Sequence, residues 1–184
     1  MTGRIESLCA AYERQVRLPW DENLAGAQRV WFAVYPPSRE RRLRLRLPLF
    51  EQATLRAGKR WEHLDLTTAF AEWMAAHESR EAYFAKPERL ALGVKRFEPF
   101  LASRVRDALG ASDSSTVVAL SGIGAVFGLA SVSQLVAEVA RAIQGRLLVF
   151  FPGSTEEGLF KLLDATKGFN YHAVAITADA GEYP

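Results

Sequence analysis

Residues 116–128, Thr-Val-Val-Ala-Leu-Ser-Gly-Ile-Gly-Ala-Val-Phe-Gly, decide the fold. Residues 117–120 form an unbroken apolar run, which is typical of a strand buried on both faces in the middle of a parallel sheet. Ser121 and three glycines then turn the chain toward an amphipathic helix. A strand, a glycine-rich turn and a helix in this order also bind phosphate in many proteins. The segment therefore predicts a central strand followed by a turn that is either structural or phosphate-binding.

Strand-like and helix-like segments alternate on both sides of this segment. The strand-like ones are rich in β-branched and aromatic residues, and the others carry apolar residues at helical spacing. This alternation predicts an α/β fold with a mostly parallel, five-stranded sheet flanked by helices, in a P-loop-NTPase-like or flavodoxin-like layout without a P-loop. We expect one domain over residues 1–184, with a helix at 4–17, the sheet core at 29–177 and a tail at 178–184. The predicted strands are residues 30–35, 61–66, 117–120, 147–151 and 171–177.

Three helix predictions depend on local signals. Residues 39–59 carry apolar residues at helical spacing, and Pro48 predicts a kinked or two-part helix that ends at Gly58, although residues 42–47 also alternate like a strand. Two pairs resemble capping boxes, in which a serine precedes a glutamine or glutamate by three residues. The first pair predicts a helix after Ser131, and the second predicts a short helix that carries Leu159, Phe160, Leu162 and Leu163. The pairs are Ser131 with Gln134 and Ser154 with Glu157.

Composition limits the classes of function. The formal net charge is only +2, so no overall field favours nucleic acid or a membrane surface. Cys9 is the only cysteine, which excludes an internal disulfide and fits a reducing compartment. No apolar run approaches the roughly 20 residues that span a bilayer, and the first residues lack the apolar segment of a signal peptide. We therefore expect a cytoplasmic protein that does not associate with membranes.

The glycine turn matches neither of the two common phosphate-binding motifs. A P-loop requires four residues between its glycines and then Lys-Ser or Lys-Thr, whereas five residues separate Gly122 from Gly128 and Leu129 follows. In a dinucleotide fingerprint, Phe127 would occupy the place of the third glycine. One interpretation is a tight turn whose glycines let a helix pack close to the sheet. The alternative is a degenerate nucleotide- or phosphate-binding site formed by Ser121, Gly122, Gly124 and Asp65.

No catalytic constellation or metal motif is evident in the sequence. Three scattered histidines and one cysteine do not supply the spacing of a zinc site. Asp65 lies at the end of a predicted strand, where it could act as a base, hold a metal or cap the turn into Thr67. No other carboxylate is placed beside it by the sequence. We therefore predict a non-catalytic protein without a cofactor.

Five arginines crowd the segment after the first predicted strand. Such a patch can bind phosphates of DNA, can contact an acidic protein partner, or can form a solvated helix face whose long stems cover apolar surface. No aromatic residues alternate with them, which disfavours binding of single-stranded nucleic acid. They are the candidate partner-binding residues: Arg39, Arg41, Arg42, Arg44 and Arg46.

Several separate blocks of the sequence occur in order over residues 19–177, and none is a catalytic motif. They are Arg29-Val-Trp-Phe-Ala-Val-Tyr, the strand 61–66 with Thr67 and Ala69-Phe70, Thr116-Val-Val-Ala-Leu-Ser-Gly, Gly145-Arg-Leu-Leu-Val-Phe-Phe-Pro-Gly, Leu162-Leu-Asp-Ala and Asn170-Tyr. Together these blocks resemble the BrxB family, whose members are encoded in bacteriophage-exclusion (BREX) operons.

This resemblance implies a context more than a chemistry. BREX systems restrict phage and methylate host adenines, and their methyltransferase, large ATPase and alkaline-phosphatase-like PglZ protein are separate products. BrxB-like proteins have no established enzymatic activity. The resemblance implies an adaptor that docks another BREX component, with the PglZ-like protein as the expected partner. The residues leave two alternatives open, namely a nucleotide-binding domain that uses residues 121–128 and a DNA-contacting subunit that uses Arg39 to Arg46.

Overall fold

The computed structural model describes residues 4–156, 158–163 and 168–178. Within these ranges, short 3-10 turns connect seven α-helices and seven strands. The helices are α1 (Arg4–Arg17), α2 (Glu40–Arg56), α3 (Ala69–Ala76), α4 (Arg80–Ala85), α5 (Leu90–Gly93), α6 (Phe97–Gly110) and α7 (Val132–Val139). The strands are β1 (Val30–Tyr35), β2 (Arg60–Asp65), β3 (Thr116–Ser121), β4 (Arg146–Glu156), β5 (Leu159–Leu162), β6 (Phe169–Asn170) and β7 (Val174–Ile176).

The sheet is open, mixed and seven-stranded. Five strands run parallel in the order β2-β3-β4-β1-β7, while β5 pairs antiparallel with β4 and β6 pairs antiparallel with β5. The α/β prediction with flanking helices is confirmed, but the predicted number of five strands is wrong. A flavodoxin-like sheet has the order 2-1-3-4-5, so the position of β1 between β4 and β7 rules out that layout.

Helices cover both faces of the sheet because its central strands are apolar on both faces. All six residues of β1 are buried. Trp31, Ala33 and Tyr35 lie on the face that packs against α1 and α2. The alternate residues Val30, Phe32 and Val34 lie on the opposite face, which packs against α3, α6, α7 and β5. Each face thus has its own core, as an uninterrupted apolar strand requires.

Helix α2 is one continuous helix, so the predicted division into two parts does not occur. Pro48 lies inside it and is exposed. The carbonyl that loses its amide partner at an exposed proline can be hydrated, which lowers the cost of the interruption. Buried Leu43 and Phe50 attach the helix to the sheet on both sides of Pro48. Gly58 follows with a φ of +71°, which confirms that it ends the helical segment.

The predicted short helix at residues 159–163 is wrong, because this segment forms strand β5. Phe160 and Leu162 are buried, whereas Leu159 is 41% exposed, so burial alternates with the period of a strand. The ring centroids of Phe160 and Phe32 lie 4.6 Å apart. Phe160 therefore packs into the core that the sheet shares with α3, α6 and α7. Ser154 belongs to β4 rather than to a helix cap, and Glu157 lies outside the described residues.

Of the other strands, β4 (Arg146–Glu156) begins one residue earlier and ends five residues later than the predicted strand at 147–151. β1 has the predicted bounds, β2 begins one residue earlier than predicted, and β7 covers only the last part of the predicted strand at 171–177. The cap before α7 is confirmed, since the Gln134 amide donates to Ser131 Oγ at 3.3 Å. Of the predicted tail, residues 179–184 lie outside the described residues.

Adjacent residues of β5 provide a test of this strand. We expect Phe160→Ala to lower the free energy of unfolding by about 3–5 kcal/mol, because it opens a cavity in an aromatic core. Leu159→Ala, one position away on the exposed side, should cost less than about 1 kcal/mol. Urea denaturation of both variants measures the difference. Equal losses would contradict the strand, because they would place both side chains in similar surroundings.

Candidate functional sites at the two edges of the sheet

Predicted site residues meet at the carboxyl edge of β2 and β3. Asp65 and Ser121 are directly paired in the parallel register. Ser121 is only 2% exposed, and its hydroxyl lies 2.8 Å from His63 Nε2. Burial lowers the pKa of His63, which favours the neutral imidazole. This pair therefore joins two neighbouring strands through a neutral hydrogen bond.

Asp65 belongs to a network around Arg44. The amide of Thr67 donates to Asp65 Oδ1 at 2.9 Å, and Arg44 Nη1 lies 3.6 Å from Asp65 Oδ2. Arg44 also donates from Nε to Glu40 and from Nη2 to the Thr67 hydroxyl, both at 2.8 Å. Tyr35 donates its hydroxyl proton to the second oxygen of Glu40. Glu40 thus holds α2 against the end of β1, and Arg44 holds it against the end of β2.

The same network lowers the pKa of Asp65. Burial acts to raise it, but hydrogen bonds from the Thr67 hydroxyl and amide, together with the charge of Arg44, outweigh burial. The carboxylate is consequently ionised and is shared between a threonine and an arginine. Such an arrangement is typical of a structural ion pair as much as of a general base.

The glycine turn divides the predicted phosphate-binding residues into two groups. Gly122 has a φ of +75°, and a Cβ placed on it would lie 2.6 Å from Asp65 Oδ1. Gly124 instead faces Pro152 and Leu163. Residues 123–126 form a 3-10 turn, and α7 begins only at Val132. The turn therefore presents Gly122 to a carboxylate rather than to cationic side chains, and phosphate binding there stays a prediction.

The crevice expected from the topology lies beside β1 and β4. After β1 the chain crosses one face of the sheet, whereas it reaches β4 across the other face. Open α/β sheets bind ligands at such a reversal of strand order. A cavity of about 200 Å³ lies at these carboxyl ends, and the residues that line it carry no charge. They are Val34, Tyr35, Pro36, Gly153, Ser154, Thr155, Thr177 and Ala178.

The arginine patch does not face a single direction. Arg42 Nη2 and Arg46 Nε both contact Glu6 Oε1 on α1, at 2.8 and 3.2 Å. The hydrogen bond from Arg42, followed by the charges of both arginines, lowers the pKa of Glu6. With Arg44 in the carboxyl-edge network, three of the five arginines pair within the described part of the chain. Arg39 and Arg41 are exposed and form no ion pair with the described residues.

Helix α2 also exposes apolar side chains that sequence reasoning did not identify. Leu45 is 72% exposed and Leu55 is 54% exposed. With Arg41, Pro48 and Gln52 they recur at steps of three or four residues, so all five lie along one outward stripe about 21 Å long. We call these five residues the α2 stripe. The exposed leucines could be found only once the buried side of the helix was known.

A second site lies at the opposite edge, where the strands begin. Four cationic residues line a cleft of about 530 Å³ in front of β1, β3 and β4. Sequence reasoning missed this amino-edge cleft because the cations are far apart in the chain and no motif joins them. They are Arg29, Lys59, Arg141 and Arg146.

Other functional groups are not assembled in the described residues. No cluster of three His, Cys, Asp or Glu side chains there could hold a metal ion. Burial raises the pKa of the Cys9 thiol to about 11, which disfavours the reactive thiolate. In the same ranges, no helix is long and apolar enough to cross a membrane.

Comparison of the chain with family models, with curated proteins and with solved structures gives no match.

Two glycines with the same backbone conformation test the carboxyl edge. Gly122 and Gly128 have φ values of +75° and +76°, but a Cβ meets nothing within 4 Å at Gly128. We expect Gly128→Ala to cost about 1–2 kcal/mol, the usual penalty of the left-handed conformation. Gly122→Ala should cost clearly more, because it also displaces Asp65 and Thr67. Chemical denaturation measures both, and equal costs would show that the contact with Asp65 is loose.

The lowered pKa of Asp65 predicts how stability depends on pH. An ionised Asp65 stabilises the fold above the ordinary pKa of about 4, and this contribution is lost as the pH falls through the lower folded-state value. Asp65→Asn removes the charge with little change of shape. We expect wild type to be more stable at pH 7, and the difference to shrink as the medium is acidified below about pH 4. Denaturation at a series of pH values measures this, and a constant difference would contradict it.

Proposed function

We propose that the chain is a non-catalytic adaptor subunit of a BREX phage-defence complex, and that it docks the PglZ-like protein through α2. The docking surface is inferred from the side chains on the outward side of this helix. Exposed leucines occur there together with cations that pair with no described residue, while the arginines on its other sides are paired. The BREX context rests on the resemblance of the separate sequence blocks to the BrxB family.

The α2 stripe has the composition of an interface. Arginine and apolar side chains are enriched in the cores of protein interfaces, and Leu45 protrudes one turn after Arg41. Arg39 adds a further cation at the start of the helix. A partner surface with carboxylates around an apolar pocket would complement this arrangement in charge and in shape.

The structure favours a protein partner over DNA for this segment. DNA binding would use the arginines as phosphate contacts, but Arg42, Arg44 and Arg46 form ion pairs within the chain. The exposed leucines that follow the remaining cations along the helix would bury no apolar surface against a phosphate backbone. The α2 stripe therefore fits an acidic protein surface better.

For the sheet we propose the P-loop-NTPase-like layout without a P-loop. The parallel path β2-β3-β4-β1-β7, in which the first strand lies between the fourth and the last, supports it. The segment after β1 begins Pro36-Pro37 and carries no glycine before α2. A scaffold that keeps the layout and lacks the phosphate-binding loop is consistent with an adaptor.

Charge reversal with loss of the apolar contact tests the docking surface. We expect Arg41→Glu combined with Leu45→Asp to weaken binding to the PglZ-like protein by about tenfold or more, as loss of a central interface residue does. Co-purification from cells that carry the whole operon shows the partner, and titration of the purified proteins gives the affinity.

The chain offers a matched control on another surface. Arg89 and Leu92 are both exposed, the latter by 79%, and lie at α5. Arg89→Glu with Leu92→Asp introduces the same chemical changes and should leave binding unchanged. Recovery of the chain without any BREX protein at gentle salt would refute the adaptor function. Equal weakening by both double variants would refute the α2 stripe as the docking surface.

A further inference from the structure

The amino-edge cleft contains a buried cation that the described residues leave without a carboxylate. Arg146, the first residue of β4, is only 5% exposed. Its guanidinium donates to the carbonyl oxygens of Gly145 at 3.0 Å and Asp21 at 3.2 Å. It also lies 4.7 Å from the ring centroid of Trp20 and 5.8 Å from that of Trp31. All of these partners are neutral.

A buried charge with only neutral partners is costly unless a counter-ion is supplied. Within the described ranges, no carboxylate oxygen lies within 4.0 Å of the Arg146 guanidinium. Burial, followed by the nearby charge of Arg29, lowers the pKa of Arg146, and Asp21 opposes this only in part. An anion in the cleft would compensate this charge.

Arg29 makes the cleft rigid. Its guanidinium donates to four backbone carbonyls, those of Leu24 and Glu22 on one side and of Ile143 and Gln144 on the other, at 2.7–3.0 Å. These bonds tie the loop before β1 to the loop before β4. Because its donors are engaged by backbone, Arg29 is a positioning residue that still contributes a full positive charge.

Lys59 and Arg141 are the other two cationic residues that line the cleft. Lys59 Nζ lies 4.2 Å from the ring centroid of Trp20, so the same indole carries the contacts of both Lys59 and Arg146. Arg141 is exposed at the rim. Four cationic residues against one acidic residue, Glu22, give the lining a net charge of 4 − 1 = +3. Ser114 and Ser115 also line the cleft and bring hydroxyl groups to it.

Charge and size together define the ligand class. A single carboxylate would leave most of the +3 charge uncompensated, whereas a di- or triphosphate would match it. The volume of about 530 Å³ lies within the range of small-molecule sites, about 300–1,000 Å³. Its concave shape differs from the extended basic groove that follows a nucleic-acid backbone. Guanidinium and ammonium groups are the usual donors to phosphate oxygens.

We propose that the amino-edge cleft binds a small di- or triphosphate, contacted by Arg146, Lys59 and Arg141 and positioned by Arg29. This site lies at the edge of the sheet opposite to residues 121–128 and is independent of docking through the α2 stripe. The binding is non-covalent, and Trp20 gives it an optical signal through the indole that two of the cations contact.

Titration of the full-length chain tests the proposal. Pyrophosphate and ATP are added separately at about 0.15 M salt, with tryptophan fluorescence and calorimetry as readouts. We expect both to bind at or below millimolar concentration and to raise the melting temperature. Citrate, which carries a similar charge on carboxylates, should bind more weakly. No binding of pyrophosphate or ATP at millimolar concentration would overturn the proposal, as would tighter binding of citrate.

Surface variants keep the test independent of folding, since Arg146→Gln could unfold the chain. Lys59→Met with Arg141→Gln should weaken pyrophosphate binding by about tenfold or more, because each charge-assisted hydrogen bond is strong. Arg39→Gln with Arg41→Gln removes the same charge from α2 and should change the affinity little. Equal weakening by both variants would show general charge attraction and refute the site. Duplex DNA that binds through Lys59 and Arg141, and that pyrophosphate does not displace, would refute it as well.

Discussion

The structure depends on the burial of its central strands on both faces. β1, β3 and the first half of β4 are apolar at almost every position, so neither face of the sheet can meet water. Two helices cover one face, and three helices with the β5 segment cover the other. The two cores share the strands but contain different side chains. The need to bury both faces of the sheet therefore requires a layer of helices on each side.

Double-sided burial moves the charged chemistry to the edges of the sheet. At the carboxyl edge, Glu40 and Arg44 join α2 to the ends of β1 and β2, and the long β4 pairs with β5 in an antiparallel ribbon. That edge is rich in polar contacts that satisfy one another. At the amino edge, the loops before β1, β3 and β4 meet around Arg146, and positive charge accumulates without an equal number of carboxylates. The two edges therefore differ in electrostatic character, although they end the same strands.

The surface proposed for docking and the cleft proposed for phosphate binding are separate. The α2 stripe lies on the outward side of the layer formed by α1 and α2, whereas the amino-edge cleft opens at the ends of the strands. The separation means that each surface can be altered without removing a contact from the other.

The sequence by itself determined the α/β class, the positions of the central strands and the helices α1, α2 and α7, because apolar periodicity and capping residues act locally. It also placed Asp65 and Ser121 at one edge, since parallel strands end together. Only the tertiary structure decided that residues 159–162 are a strand, because Phe160 gains more from packing on Phe32 than its segment gains from a helix cap. Likewise, only folding could show which arginines of α2 pair with α1 and which stay exposed. The amino-edge cleft was hidden for the same reason: its four cations lie between positions 29 and 146 and become neighbours only when the strands align.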